Sequence, residues 1–289
     1  MKVLITGAQG QVGRALLKAV PQAAHPVPMT RAELDIGDER AVMSSIQAHR
    51  PDVIINTAAY TAVDRAESEP DLAERANTAG PRYLALAAAT IGARLVHVST
   101  DFVFDGKSST PYRTDAPTNP QSIYGRTKLA GEGAVLQALP RHSVVLRTAW
   151  VYAATGTNFV RTMLRLMGTK GSVRVVTDQI GSPTSADSVA HVVWALAARP
   201  DLKGIYHWTD AGVASWYDFA VAIAEESAAI GLLPSDVRVD PIATEEYPTP
   251  ARRPAYSVLD KRPLLSELSV PIHHWRCGLR TVLREIANA

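Results

Sequence analysis

Short apolar runs alternate with longer amphipathic segments along the first half of the chain. The apolar runs, rich in Val and Ile, lie at residues 3–5, 53–55, 95–98 and 144–146. Between them, residues 12–20, 39–49, 72–91 and 124–139 carry apolar positions at helical spacing. This alternation is typical of βαβ units and predicts an α/β fold with a doubly wound parallel sheet. It requires one more strand, which we place at residues 26–29 despite two prolines there.

The pattern changes after about residue 150. Residues 173–176 and 205–208 are predicted strands, and residues 185–198 and 215–230 are predicted helices that begin at serine N-caps. A proline-rich stretch at 241–254 precedes a helical tail at 275–288. We therefore expect two domains, 1–150 and a smaller one at 151–289, with some segments of the second returning to the first.

Composition and charge exclude several kinds of partner. The 289 residues include 30 Lys or Arg and 28 Asp or Glu, and a net charge of +2 gives no electrostatic reason to expect nucleic acid or a membrane. Cys277 is the single cysteine, so an intramolecular disulfide is excluded. No apolar stretch reaches the roughly 20 residues that span a bilayer. We expect a cytoplasmic protein without a metal site, in which His97 and His191 are core residues.

A glycine-rich loop follows the first predicted strand. Gly7, Gly10 and Gly13 have the spacing G-x-x-G-x-x-G, and the first helix begins within this segment. Glycine permits a tight turn and a close approach of the backbone to a pyrophosphate, whose charge a helix N-terminus favours. The same glycines could simply join a strand to a helix. Their place in a βαβ unit favours dinucleotide binding.

The residues after the second strand bear on the choice of dinucleotide. An acidic residue about 20 positions beyond the glycines would bind the ribose of NAD, whereas an arginine would bind the 2′-phosphate of NADP. Arg31 follows the second predicted strand, with Asp35 and Ile36 further on. Arg31 reads equally well as an ordinary exposed arginine. We expect NADPH, leave NADH open, and place Asp35 and Ile36 near the adenine.

Tyr124 and Lys128 are the candidate proton-transfer pair. They lie four residues apart at the start of a predicted helix, so both are on the same face. A cation beside a phenol lowers its pKa from about 10 and makes it a usable acid or base. Such a pair also occurs by chance, but Thr100 and residues 56–61 lie at the carboxyl ends of neighbouring strands, where open α/β sheets bind ligands. A hydroxyl such as that of Thr100 can donate a hydrogen bond to a carbonyl oxygen that gains charge.

These motifs resemble those of the extended short-chain dehydrogenases/reductases, and most closely the dTDP-4-dehydrorhamnose reductase family. The resemblance covers nearly the whole chain. The matching stretches are 50–54, 61–67, 99–104, 124–132, 147–152, 178–184 and 247–254. The last three are the most specific, since they separate this family from related epimerases and dehydratases.

The resemblance implies a Rossmann-type cofactor domain, a C-terminal substrate-binding domain and reduction of the 4-keto group of dTDP-4-dehydro-β-L-rhamnose. It makes Tyr124 the proton donor and gives Lys128 two tasks, lowering the pKa of the phenol and holding the ribose. Thr100 would bind the keto oxygen. Further residues are expected at the substrate, namely Asp101, Trp150 and Arg253, and at the cofactor, namely Gly10, Gln11, Val12, Asp35, Ile36, Ala58, Ala59, Tyr60 and Thr61.

Two other interpretations remain open from the sequence. Another sugar-nucleotide reductase or epimerase would use the same scaffold with a different pocket. A non-catalytic relative would bind the nucleotide and regulate a partner enzyme, but the intact Thr100, Tyr124 and Lys128 favour an enzyme. A homodimer is compatible with the sequence, which does not determine the oligomeric state.

Overall fold

The computed structural model describes residues 1–289 and contains twelve strands. Six of them form one central sheet and the others form short two-stranded sheets. The strands are β1 (Lys2–Thr6), β2 (His25–Met29), β3 (Val53–Asn56), β4 (Arg94–Thr100), β5 (Ser143–Thr148), β6 (Val151–Tyr152), β7 (Ser172–Val176), β8 (Ile180–Gly181), β9 (Thr184–Ser185), β10 (Gly204–His207), β11 (Ala214–Ser215) and β12 (Arg238–Ile242).

Eleven α-helices surround these strands. A π-helical turn at Arg75–Ala79 joins the fourth helix to the fifth, and a 3-10 turn at Asp101–Val103 follows β4. The helices are α1 (Gln11–Lys18), α2 (Glu39–His49), α3 (Val63–Ala66), α4 (Pro70–Glu74), α5 (Gly80–Ile91), α6 (Ile123–Ala138), α7 (Phe159–Lys170), α8 (Ala186–Ala197), α9 (Trp216–Ala228), α10 (Arg262–Glu267) and α11 (Trp275–Ala287).

The central sheet has the strand order β10-β5-β4-β3-β1-β2, and all its pairs are parallel. The predicted doubly wound sheet is confirmed. After β2 the chain crosses to the other side of β1, so the carboxyl ends of β1 and β3 flank the crevice where such sheets bind ligands. The second strand, predicted at residues 26–29, is present as β2. It lies at the edge of the sheet, where a proline on the open side removes no hydrogen bond between strands.

Helices cover both faces of the sheet. On one face, α1 and α8 enclose the largest apolar cluster, which includes Val3, Ile55 and Val96. On the other face, α2, α5 and α6 cover Leu4, Ile54 and their neighbours. Strands buried on both sides explain the short, continuous apolar runs in the sequence.

The second half of the chain contributes to the central sheet and also builds its own core. β10 pairs with β5, and α8 packs on α1. A third apolar cluster lies between α7, α9 and α11. The sequence patterns did not predict α7, α10 or β12. The assignment of cofactor and substrate to residues 1–150 and 151–289 stays a prediction.

One of the two histidines predicted to lie in the core does not. His97 is fully buried, but His191 lies on the exposed side of α8. Its Nδ1 contacts the carbonyl of Asp187 one helical turn earlier, at 2.7 Å. The apolar run around it covers the buried face of α8, and His191 occupies the gap in that periodicity. No helix in the structure combines the length and the hydropathy needed to cross a membrane.

Candidate active site

The glycine loop forms a cradle between β1 and α1. Gly7 has φ +71°, and a Cβ there would lie 2.6 Å from the amide nitrogen of Ala58. A Cβ on Gly13 would lie 2.3 Å from the Gly7 carbonyl, so this glycine allows α1 to approach the loop. Both positions need glycine for steric reasons. Gln11 stands at the first turn of α1, and its buried Oε1 has no hydrogen-bond partner.

The loop after β3 lies against this cradle. The Asn56 Oδ1 accepts a hydrogen bond from the Ala58 amide at 3.1 Å, and the Thr57 hydroxyl donates to the Thr6 carbonyl at 2.7 Å. Ala58, Ala59 and Tyr60 are half-buried and Thr61 is exposed. The predicted cofactor loop is therefore next to the glycine loop, as the parallel strand order requires.

Asn77, in the π-helical turn, connects this loop to α6, the helix that carries Tyr124. Its Oδ1 accepts from the Tyr60 amide at 2.8 Å, and its Nδ2 donates to the Tyr60 carbonyl at 3.1 Å and to the Thr127 hydroxyl at 3.2 Å. Its backbone also contacts α6, where a Cβ on Gly131 would lie 2.0 Å from the Asn77 carbonyl. Sequence reasoning missed Asn77, because periodicity alone does not reveal a π-turn.

The residues predicted to lie near the ribose and the adenine of the cofactor follow β2. Arg31 is exposed, in a turn that Glu33 closes by accepting a hydrogen bond from the Thr30 amide. The Asp35 carboxylate binds Arg75 at 2.8 Å and the Gly37 amide at 2.9 Å. Asp35 is thus engaged within the protein, and Arg31 is the cation that remains free at this edge.

Two caps orient the start of α6 and with it Tyr124. The Ser122 hydroxyl accepts from the Gly125 amide at 3.1 Å, and the Glu67 carboxylate accepts from the Ile123 amide at 2.8 Å. Together they satisfy N–H groups that a helix start leaves unpaired. The ring of Phe102 meets the Tyr124 ring edge to face, with centroids 5.4 Å apart.

Thr100 and Asp101 stand at the end of β4 beside Tyr124. The Thr100 hydroxyl donates to Asp101 Oδ1 at 3.0 Å and accepts from the Phe102 amide at 3.2 Å. Asp101 is buried, and its second oxygen has no partner. Burial raises the pKa of Asp101 to about 6, against the opposing effect of the nearby Ser257 and Thr100 hydroxyls.

Lys128 lies one turn beyond Tyr124, but it does not have the expected effect on the phenol. Burial raises the pKa of Tyr124 to about 12, with a contribution from the Asp101 charge and an opposing one from the Thr100 hydroxyl. The Lys128 ammonium instead donates to the Val98 carbonyl at 2.7 Å, and burial lowers its pKa to about 8. The phenol in this structure is therefore protonated.

A buried ion pair, also missed from sequence, lies behind Lys128. The guanidinium of Arg147 forms hydrogen bonds of 2.6–3.1 Å with both carboxylate oxygens of Glu132. The Ser99 hydroxyl donates to the same carboxylate at 2.5 Å, and the ring of Phe104 lies 5.1 Å from the guanidinium carbon. Glu132 is one turn from Lys128 and raises its pKa.

Trp150 marks the passage from β5 into the second half of the chain. It has φ +50°, an uncommon conformation for a bulky residue and one associated with functional sites. Its indole stacks on that of Trp216, with centroids 3.5 Å apart, and closely covers Gly181. The half-buried Trp150 therefore presents an aromatic wall at the carboxyl end of β5.

Arg253 is engaged by another side chain rather than free for a diphosphate. Its guanidinium forms two hydrogen bonds with the Asp64 carboxylate, at 3.0 and 2.8 Å, and Asp64 also accepts from the Ala251 amide at 3.2 Å. This clamp joins the proline-rich stretch to α3. Asp64 is 189 positions away in sequence, so no local pattern shows the pairing.

The arrangement combines a glycine cradle, a protonated phenol, a hydroxyl and a buried ammonium at one edge of a parallel sheet. This set can bind a dinucleotide and protonate an oxygen that gains charge. No three His, Cys, Asp or Glu side chains come together as metal ligands.

Comparison with known proteins identifies the family. The family model described as "RmlD substrate binding domain" matches residues 1–288. The chain is 44% identical to the spore coat polysaccharide biosynthesis protein SpsK of Bacillus subtilis, over 100% of this chain and 99% of that protein. It is 45% identical to a dTDP-4-dehydrorhamnose reductase of Streptomyces griseus, over 96% and 91%. The crystal structure of dTDP-4-dehydrorhamnose reductase from Bacillus anthracis in complex with NADP is 36% identical and superimposes with a TM-score of 0.92, covering 98% of this chain and 99% of that one. The chain therefore belongs to the RmlD family, that of the dTDP-4-dehydrorhamnose reductases.

Proposed function

We propose that this protein reduces the 4-keto group of dTDP-4-dehydro-β-L-rhamnose to dTDP-β-L-rhamnose with NADPH. One observation carries the proposal. Thr100, Tyr124 and Lys128 meet at the carboxyl ends of the strands, beside the glycine cradle, in a chain of the reductase family.

The cofactor proposal is supported by the cradle and by a free cation. Gly7 and Gly13 let the loop after β3 and the start of α1 pack closely against the glycine loop, which places the N-terminus of α1 at the proposed pyrophosphate site, and the unpartnered Gln11 Oε1 lies at the same helix start. Gly10, Val12 and the loop from Ala58 to Thr61 complete the proposed lining. Arg31 would contact the 2′-phosphate, which agrees with the NADP named for the Bacillus anthracis relative. Asp35 and Ile36 would lie near the adenine.

The chemistry follows from the protonation states. A bound NADPH supplies the hydride that reduces the keto carbon. As negative charge grows on the keto oxygen, the Thr100 hydroxyl turns its proton from Asp101 to this oxygen, and the Tyr124 phenol transfers its proton. Lys128 uses one N–H bond on the Val98 carbonyl and keeps the others for the ribose and for the phenolate that the transfer leaves.

The substrate would lie between this edge of the sheet and the second half of the chain. Asp101 and Trp150 are the proposed sugar contacts, since a buried carboxyl with a free oxygen and a half-buried indole suit a hydroxylated ring. Arg253 would act through its clamp on Asp64. A homodimer and a cytoplasmic location also remain proposals, and sedimentation analysis tests the first.

The test is a coupled assay in which the two preceding enzymes make the keto sugar from dTDP-glucose. Consumption of NADPH and of NADH is followed by absorbance, and the product is identified by mass and chromatography. We expect dTDP-rhamnose and a preference for NADPH. A different product, or tight NADPH binding without turnover, would contradict the proposal.

Tyr124→Phe tests the role of the acid. Removal of the proton donor should lower turnover on the order of 10²–10⁴-fold and leave NADPH affinity unchanged. Turnover at the wild-type rate would show that another group supplies the proton.

A further inference from the structure

Three polar side chains form a continuous row across the central sheet. Thr6, Asn56 and His97 are register partners on β1, β3 and β4, and each is at most 1% exposed. The Thr6 hydroxyl donates to Asn56 Oδ1 at 2.7 Å, and Asn56 Nδ2 lies 2.9 Å from His97 Nδ1. The residues before them in these strands are apolar, so the row interrupts an apolar core.

The hydrogen bonds fix the roles of the atoms in this row. Asn56 Oδ1 already accepts from the Thr6 hydroxyl and from the Ala58 amide, so the Asn56 amide group must donate to His97. His97 Nδ1 is therefore the unprotonated nitrogen and Nε2 carries the proton. Burial and the Lys128 charge lower the pKa of His97 well below its usual value, which keeps the ring neutral and Nδ1 an acceptor.

Asn56 connects this row to the proposed cofactor loop. Only if its amide faces His97 does its carbonyl face the Ala58 amide, which is the first N–H of that loop. Ala58 is also the residue whose backbone lies closest to Gly7. His97 itself lies one strand away from Ala58, and it acts through Asn56.

The row is costly as a purely structural feature. Buried polar groups stabilise a core only when they are fully satisfied, and His97 Nε2 has no partner. A leucine at this position would fill the space without that cost. The polar choice is explained if it serves the loop at the carboxyl ends of the strands.

We propose that His97 is a positioning residue that orients Asn56 and thereby holds the Ala58 amide in place for the dinucleotide. The inference rests on the proposed function for the identity of the ligand, NADPH. Its local consequence, the order of the Ala58 amide, does not depend on any ligand.

The test compares variants that keep or remove the acceptor. His97→Asn places an amide oxygen near the position of Nδ1, whereas His97→Leu removes the acceptor and stays apolar. His97→Val, a residue suited to strands, is the second acceptor-free variant should the leucine protein fail to fold. Leu95→Ala is the matched control, because Leu95 is buried on the same face of β4 and has no polar group that could bond to the row.

Two readouts separate positioning from simple loss of stability. We expect the acceptor-free variants to bind NADPH about five- to tenfold more weakly, the cost of about one hydrogen bond. The KM for NADPH should rise equally with little change in kcat, while His97→Asn and Leu95→Ala stay within about twofold of the wild type. In the cofactor-free protein, hydrogen exchange of the Ala58 amide should accelerate only in the acceptor-free variants.

The outcomes distinguish the two proposals. Unchanged NADPH affinity and unchanged Ala58 exchange in His97→Leu would overturn the role of His97 and leave the proposed function intact. Equal losses in His97→Asn, His97→Leu and Leu95→Ala would also overturn it, since stability alone would then explain them. A wild-type protein that binds no NADPH would refute the proposed function, whereas the exchange of Ala58 would still decide the positioning of Asn56.

Discussion

Removing Arg147 should expose how strongly the buried ion pair supports the fold. The side chains of Arg147 and Glu132 are 3% and 1% exposed, and their shortest contact is 2.6 Å. In Arg147→Met the Glu132 carboxylate keeps only the Ser99 hydroxyl, so a buried charge loses its counter-ion. Loss of one partner of such a pair costs about 3–5 kcal/mol.

The expected change in melting temperature follows from the size of the chain. An unfolding entropy of about 2.1 cal/mol/K per residue gives about 0.6 kcal/mol/K for 289 residues. The variant should therefore melt roughly 5–8 °C below the wild type. Circular dichroism of the cofactor-free protein measures this difference.

A double variant separates the charge from the packing. In Glu132→Gln/Arg147→Met no buried charge remains unpaired, and the Gln carbonyl still accepts from Ser99, so at least half of the lost stability should return. The two proteins should also differ at Lys128. The lone carboxylate of the single variant raises the pKa of Lys128 above about 8, whereas the double variant lets it fall below that value. A single variant within about 1 kcal/mol of the wild type would show that solvent reaches the carboxylate and would refute the reasoning.

Three further predictions concern the rest of the site. Asp101→Asn should flatten the pH dependence of stability between about pH 4 and 6. The pKa of the Asp101 carboxyl rises from 3.8 to about 6 on folding, so the protonated carboxyl stabilises the protein below pH 4 and this contribution is lost as the pH rises through 6. Thermal unfolding across this range measures the effect. Gly7→Ala should weaken NADPH binding at least tenfold, because its Cβ would meet the Ala58 backbone and displace the proposed cofactor loop; Gly92→Ala has the same φ of +71° in open space, so it should cost about 1–2 kcal/mol of stability alone and is the calorimetric control. Arg253→Lys should speed limited proteolysis of residues 244–254. It should lower the free energy of unfolding by less than about 1 kcal/mol, as expected for a partly exposed ion pair. An unchanged cleavage rate would contradict the clamp between Arg253 and Asp64.

The central sheet could be predicted because its chemistry is local. Each Val- and Ile-rich run is buried on both faces, and helices α1, α2 and α5 each bury an apolar face. The presence of β2 was predictable from the alternation of strands and helices, although Pro26 and Pro28 argue against a strand. In contrast, α7 and β12 depend on the third apolar cluster, whose members come from distant parts of the second half.

The site was predictable to the extent that its residues stand at strand ends and helix starts. Thr100, Tyr124 and the glycines meet these conditions. The partners of Arg253 and Glu132 are distant in sequence, so the contacts of these two residues could be seen only in the folded structure. Spacing shows that Lys128 shares a face with the phenol, but not that its ammonium binds the Val98 carbonyl or that burial raises the pKa of Tyr124.

The buried charges on the α6 side of the sheet explain why a phenol with a raised pKa suits the proposed reduction. Glu132 and Arg147 cancel each other, and His97 is neutral, so the Lys128 ammonium and the Asp101 carboxyl are the remaining buried charges near the strand ends. Proton transfer from Tyr124 creates one negative charge in the same region. The cation is present before the reaction and is held by the Val98 carbonyl, so it stabilises the phenolate without reorganisation. Burial and the Asp101 charge raise the pKa of Tyr124, which keeps the proposed donor protonated until the keto oxygen gains charge.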